Sequence, residues 1–321
     1  MNIILFGGSG FVGTSLIRRW ANSRASDLFY ICDLVSPKGT LPVNCRYLEC
    51  DVRQPISLVQ LPKQIDLIIN LAAIHKEPGH EEAEYYQTNL QGARHITALA
   101  VQIDCKQIVF TSSIAVYGLA TTGCTEDDLT EPVSAYGGSK LIAESIHKEW
   151  LERSSAHRLI IVRPGVIFGP GETGNILRMY KAIKAGIFFI PGDPKVVKSY
   201  VYIEDVINAI EFLVERTERL NICNLSDPQP FNLEQLVNEI RTVQGKPITS
   251  PKHMPASILV GLSRLVQILS LGRSSIHPVR VRKAMRPTFV RPASLSRLGF
   301  KFQYPISKAF EDWNKRAPAE L

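Results

Sequence analysis

Tyr136 and Lys140, in the run Ser134-Ala135-Tyr136-Gly137-Gly138-Ser139-Lys140, are the residues whose types and spacing are best suited to chemistry. A phenol ionises near pH 10 and exchanges protons at neutral pH only beside positive charge. A lysine four positions further on shares its helix face and can supply that charge. Upstream, Thr111-Ser112-Ser113 closes an apolar run. A hydroxyl at such a strand end can hydrogen-bond a reacting oxygen. Tyr-x-x-x-Lys alone is a common spacing and describes a surface pair equally well.

A second element changes the balance. Gly7-Gly8-Ser9-Gly10-Phe11-Val12-Gly13 follows an apolar run at the start of the chain. Gly8, Gly10 and Gly13 fit G-x-G-x-x-G, and Gly7, Gly10 and Gly13 fit G-x-x-G-x-x-G. Such a turn lets the backbone approach a pyrophosphate, and the helix behind it offers free N–H groups to the anion. Asp33 stands twenty residues beyond Gly13, at the end of the second apolar run. A carboxylate there accepts hydrogen bonds from ribose hydroxyls and repels a 2′-phosphate, so NAD is expected rather than NADP. Asp51-Val52 is a weaker expectation for the adenine side. His75 and Lys76 follow the fourth apolar run, where they reach either substrate or nothing but their neighbours.

These residues need elements to hold them. Strands are expected at 2–6, 28–32, 46–48, 67–71, 108–112 and 159–163, and helices at about 11–22, 81–103 and 135–153. Strands alternating with helices mean parallel pairing through right-handed crossovers, hence an α/β, doubly wound (Rossmann) sheet. After Pro164 the chain becomes rich in glycine and proline, as suits a smaller C-terminal α+β substrate lobe. The expected division is a dinucleotide-binding domain over 1–168 and a lobe over 169–321, with about 200–225 returning to the first. Helical patterns follow at 205–215, 232–244 and 256–271.

Together the motifs resemble the extended short-chain dehydrogenase/reductase superfamily, in its nucleotide-sugar epimerase/dehydratase branch. The resemblance covers most of the chain. It takes in Gly7 to Gly13, Asp33, Asp51-Val52, Asn70-Leu71-Ala72-Ala73, Asn89, Ser112-Ser113 through Tyr117-Gly118, and Tyr136 to Lys140. It continues through Arg163-Pro164-Gly165-Val166, Phe168 to Gly171 and Tyr200 to Val206. The resemblance implies NAD as cofactor, with Leu71, Ala72 and Ala73 lining it, Asn89 supporting the neighbouring helix, and Pro164 and Val166 by the nicotinamide. It implies Tyr136 as acid/base, Lys140 as its tuner and ribose ligand, and Ser113 as the hydroxyl partner, four residues before Tyr117. Asn175 resembles the sugar-nucleotide-binding asparagine. Arg280 or Arg282 would meet a diphosphate through charge-assisted pairing.

Family dehydratases carry an Asp-Glu pair after that serine, where this chain has Ile114-Ala115. Neither side chain handles a proton, so dehydration is disfavoured. The expected activity is NAD-dependent 4-epimerisation of a nucleoside-diphosphate sugar through a transient 4-keto sugar. The alternatives are an NAD(P)H-dependent 4-ketoreductase of a nucleotide-linked deoxy sugar and a non-catalytic NAD-sensing protein. The resemblance also implies a homodimer through the helices at 81–103 and 135–153, and work on polysaccharide precursors.

Composition bounds the rest. With 45% hydrophobic and 21% charged residues the chain is globular rather than disordered. Its six cysteines form no C-x-x-C pair, so reduced thiols and no metal site are expected. The sequence begins in a strand pattern, leaving no room for a signal peptide, and has no run long enough to span a membrane. A cytoplasmic location follows. Net charge is +7, and between Pro251 and Lys301 ten lysines and arginines stand with no Asp or Glu. Such a stretch attracts an anion. No nucleic-acid module accompanies it, so nucleic acid is not an expected partner. The apolar run 256–269 reads as a packed helix or, through its basic neighbours, as weak peripheral contact with a membrane.

Overall fold

Ile3, Ile4, Leu5 and Phe6 are completely buried because their strand lies inside a seven-stranded parallel sheet. The structure, a computed structural model, describes residues 1–77, 79–269 and 278–321. Its main strands are β1 (Asn2–Phe6), β2 (Leu28–Asp33), β3 (Cys45–Glu49), β4 (Leu67–Asn70), β5 (Gln107–Thr111), β6 (Arg158–Pro164) and β7 (Leu220–Leu225). Across the sheet they run β7-β6-β5-β4-β1-β2-β3. The order reverses between β1 and β4, and in doubly wound sheets the carboxyl ends of the strands at such a switch are where ligands bind.

Helices α1 (Phe11–Ser23), α2 (Glu82–Gln102) and α3 (Ala135–Glu152) make the first crossovers. In α1, Leu16, Ile17, Trp20 and Ala21 recur at helical spacing and are buried. A capping box starts α2: the Glu84 carboxylate accepts the Glu81 N–H at 2.8 Å, returning the bond that Glu81 takes from the Glu84 backbone. The second set is α4 (Asn175–Lys184), α5 (Ile203–Val214), α6 (Leu233–Val243), α7 (Ala256–Leu269), α8 (Pro278–Ala284), α9 (Ala293–Arg297) and α10 (Ile306–Arg316). Residues 270 and 271 of the expected helix 256–271 lie outside the described residues, as does Arg273.

One hydrophobic core joins Ile3, Leu5 and Ile160 of the sheet to Ile176, Tyr180, Leu236 and Phe310 of the later helices. Packing is therefore continuous across residue 168. A second core, on the other face, holds Ile4, Phe6, Phe110 and Trp150. A small sheet not foreseen from the sequence runs 231–232, 197–198, 288–290, 120–124 and ties the segment after β5 to the C-terminal lobe.

Candidate active site

The glycine turn sits at the switch. Gly7 has φ +73°, and a Cβ there would come within 2.7 Å of Ala72 N. Only glycine allows the turn and the chain after β4 to approach so closely. Leu71 N–H donates to Phe6 O at 2.8 Å, and Asn70 Oδ1 accepts the Ala72 N–H at 3.2 Å, so Leu71, Ala72 and Ala73 lie alongside the turn. Gly10 caps α1 without a side-chain bond, and the first turn, with Phe11, Val12 and Gly13, has no acidic residue. Its N–H groups and positive dipole end are left for an anion.

Asp33 accepts the Ser9 N–H through Oδ2 at 3.0 Å, which holds the carboxylate against the turn. Its Oδ1 takes no hydrogen bond among the described residues. Ser9 Oγ, Thr111 Oγ1 and Ser112 Oγ are buried without partners. An uncapped helix start, a free carboxylate oxygen and orphaned hydroxyls around one crevice fit a dinucleotide, with the diphosphate at α1 and a ribose at Asp33. Asp51 is gripped by Arg53, whose Nε and Nη2 donate at 2.9 and 2.7 Å, and this holds its carboxyl below the usual range. Val52 is buried under Gly92 of α2. Asn89 accepts the Ile74 N–H at 3.1 Å and donates to Ser139 Oγ at 2.8 Å, pinning the loop after β4 to α3.

Two devices bring Tyr136 to Ser113. Ser134 Oγ accepts the Gly137 N–H at 3.2 Å and starts α3 one residue before Ala135. Gly137 then lets α3 lie on the short helix Ile114–Tyr117, since a Cβ would fall 2.5 Å from Ala115 O. Ser113 caps that short helix through the Ala115 N–H at 3.2 Å. The Ser113 hydroxyl lies close enough to the Tyr136 phenol to favour its ionised form. Burial pushes the phenol up to about 12; the Ser113 hydroxyl pulls it down, and the charges of Glu77 and Tyr85 push it up.

Lys140 is fully buried, and its Nζ donates to Thr111 O at 2.7 Å over the Phe110 ring. Burial lowers it to about 7 against the pull of Glu144. In the chain alone, therefore, Lys140 secures the end of β5. Behind it, Arg163 grips Glu144 with bonds of 2.9 and 2.7 Å and donates to Tyr117 Oη at 2.7 Å, which donates to Asn224 at 2.9 Å. This buried chain locks α3, β6, β7 and the Ser113 segment together.

Pro164 ends β6, and Val166 begins the strand 166–168, whose N–H donates to Ser199 O at 2.9 Å. Asn175 is exposed at the start of α4, with its Oδ1 accepting from Arg178 at 2.9 Å. Arg282 is exposed on α8. No described contact joins Asn175 or Arg282 to Tyr136. The side chain of Arg280 lies outside the described residues. His75 is exposed on the loop after β4, and desolvation of its ring, then the charge of Lys76, lowers its pKa.

Glu77 went unread in the sequence. It lies close enough to raise the Tyr136 phenol and is ion-paired with Lys283 of α8, closing a bridge from the loop after β4 to the C-terminal lobe. The signal was a carboxylate at the end of that loop facing a tail without acids.

The fold is that of a Rossmann-type, dinucleotide-binding protein. The model described as "NAD dependent epimerase/dehydratase family" matches residues 3–225, and the chain belongs to that family. It is an enzyme, and its cofactor is NAD. The chain is 31% identical over 315 residues, 97% of itself and 93% of the relative, to the N-acetyl-alpha-D-glucosaminyl-diphospho-ditrans,octacis-undecaprenol 4-epimerase of Escherichia coli O157:H7. It is 27% identical over 257 residues to the UDP-glucose 4-epimerase of Vibrio cholerae, covering 77% of the chain and 76% of the relative. The UDP-glucuronic acid 4-epimerase of Bacillus cereus, solved with UDP-glucuronic acid and NAD, superposes over 100% of both chains with a TM-score of 0.78 at 17% identity.

Proposed function

We propose that this enzyme is an NAD-dependent 4-epimerase of diphosphate-linked sugars. The observation that carries the reading is the packing of α3 on the Ser113 segment, with Gly137 against Ala115 O, which sets the Tyr136 phenol by the Ser113 hydroxyl. Tyr136 takes the proton of the sugar C4 hydroxyl and later returns it, while Ser113 holds the same oxygen. Bound NAD would supply a reversible hydride acceptor at the sugar C4, and its oxidised ring would bring positive charge to the phenol. Ile114 and Ala115 beside Ser113 offer no proton donor, which supports epimerisation over dehydration. Gly7, Gly10, Phe11, Val12, Gly13, Asp33 and the strand-end residues Leu71 to Ala73, Pro164 and Val166 would hold the cofactor. Asn175 and Arg282 would reach the diphosphate on substrate binding.

The nucleoside-diphosphate sugar is the first reading of the substrate. A polyprenyl-diphosphate sugar is the second. It is favoured by the relative that matches nearly the whole chain, whereas the UDP-glucose epimerase above matches about three quarters. Either role belongs to the making of polysaccharide precursors. Six free cysteines suit the reducing cytoplasm, where NAD is available. Incubation with UDP-glucose, UDP-N-acetylglucosamine and undecaprenyl-diphosphate N-acetylglucosamine should convert one of them to its C4 epimer without consuming NAD. Oxidation of one NADH per product would make the enzyme a 4-ketoreductase; no epimer and no 4-keto sugar would end the proposal.

A further inference from the structure

Helix α7 turns an apolar face outward. Ile258, Leu262 and Leu269 fall on one stripe at 3.6 residues per turn, with Ile268 beside them. They are 51%, 47%, 75% and 72% exposed. The opposite side carries buried Ser263 and half-buried Leu259 and Val260. Such a face on a soluble chain marks an interaction surface. The strand 190–191 pairs with 253–254 and carries exposed Ile187 and Phe189 to the start of the same helix.

Charge says what the surface meets. From Pro251 to Lys301 the sequence holds no acid. Among the described residues, Lys252, Arg264, Arg282 and Arg286 have no ion-pair partner. A second copy seated on this face would set cations against cations. An anionic bilayer surface offers the opposite charge together with an apolar layer for the exposed side chains. At 14 residues α7 is about 21 Å long, shorter than a hydrocarbon core of about 30 Å, and no helix among the described residues is long and apolar enough to cross a membrane. It would lie in the interface and not span it.

We infer that α7, with Lys252 and Arg264, is a docking face for the surface of an anionic lipid bilayer. The Lys283–Glu77 bridge joins the neighbouring α8 to the loop after β4, so the docked lobe is coupled to the active-site side of the molecule. The inference concerns where the enzyme sits; it holds whichever sugar carrier is the substrate.

The test is flotation of the full-length protein with phosphatidylcholine vesicles, with and without phosphatidylglycerol. The protein should float with the anionic vesicles, and raised salt should release it. Leu262→Gln with Leu269→Gln should cut the bound fraction at least tenfold, and so should Lys252→Glu with Arg264→Glu, which leaves the apolar face intact. Turnover of a soluble sugar nucleotide should be unchanged in both, so failure of docking and failure of the epimerase reading are separate outcomes. Wild-type protein that floats with neither vesicle, or variants that bind as well as wild type, would overturn the inference. A drop in oligomer size in the apolar variant, without vesicle binding by wild type, would assign the face to a second copy instead.

Discussion

At the scale of single residues, the proposed proton carrier Tyr136 is a phenol whose ionisation burial opposes. Burial lifts it to about 12 and Lys140 is occupied by Thr111 O. Tyr136→Phe removes the proton carrier and keeps the ring packed edge-on to Tyr85 at 6.3 Å. It should lower kcat about 10³-fold while co-purified NAD stays at wild-type stoichiometry. Loss of NAD together with activity would show a structural role for the hydroxyl. Asp33 invites a second substitution. Asp33→Ser removes a carboxylate that opposes a 2′-phosphate, so the NADP-to-NAD affinity ratio should rise roughly tenfold. Equilibrium binding of the two cofactors measures it, and an unchanged ratio would remove Asp33 from the ribose site.

At the scale of elements, α3 carries the site because its buried face is polar. Lys140, Glu144 and His147 follow at i, i+4 and i+7 and are all buried. Glu144 is matched by Arg163, so Glu144→Gln leaves the guanidinium buried and half-paired. That should cost about 3–5 kcal/mol in urea denaturation, against about 1–3 kcal/mol for Tyr117→Phe, which removes only a hydroxyl. Equal losses would mean that the ion pair contributes no more than its hydrogen bonds. His147 sets the acid limit. Its ring stacks on Phe110 at 4.2 Å and its Nδ1 lies 2.7 Å from Ala143 O, and burial lowers its pKa from 6.5 to about 4. Between those values the unfolded chain holds the extra proton, so stability falls as pH drops from 6.5 to 4, by about 3 kcal/mol. Lys140 acts with the same sign higher up, where its lowered pKa makes stability rise from about pH 7 towards 10.5. His147→Gln should flatten the acid limb in a pH series of urea midpoints; an unchanged limb would point elsewhere.

The elements that build this face were legible from the sequence because their signals are local. The run Ile3 to Phe6, the glycines behind it and the apolar spacing of α1 all lie within one window, and the central strands of the main sheet read as buried runs, unlike the edge strand β3 with its exposed Arg46 and Glu49. The strands 120–124 and 288–290 were not legible: Ala120-Thr121-Thr122-Gly123-Cys124 has no apolar alternation, and it is a strand only because a distant segment pairs with it. Glu77 escaped for the same reason, since its partner Lys283 is 206 residues away. The Tyr136–Ser113 juxtaposition depends on Gly137 meeting Ala115, a contact that spacing alone does not reveal.

At the scale of the whole molecule, two outward faces differ in charge, and the difference assigns them different partners. The face of α7 carries cations only. The groove between α2 and α3 is lined by Arg94, Ala98, Ile142, Ile146, Glu149 and Arg153, so both signs are present around an apolar strip. A two-fold axis through that groove brings apolar side chains together and lets unlike charges meet, which self-association requires. We therefore propose the homodimer there, with its active sites left open. Ile142 is 43% exposed and would be covered on both protomers. Covering the exposed part of two isoleucines contributes roughly 1–3 kcal/mol, so Ile142→Glu should weaken the dimer by at least tenfold. Light scattering should show wild-type protein at twice the mass of one chain and the variant at the mass of one, with the α7 variants unaffected. A monomeric wild type, or a variant that stays paired, would move the symmetric contact off these helices.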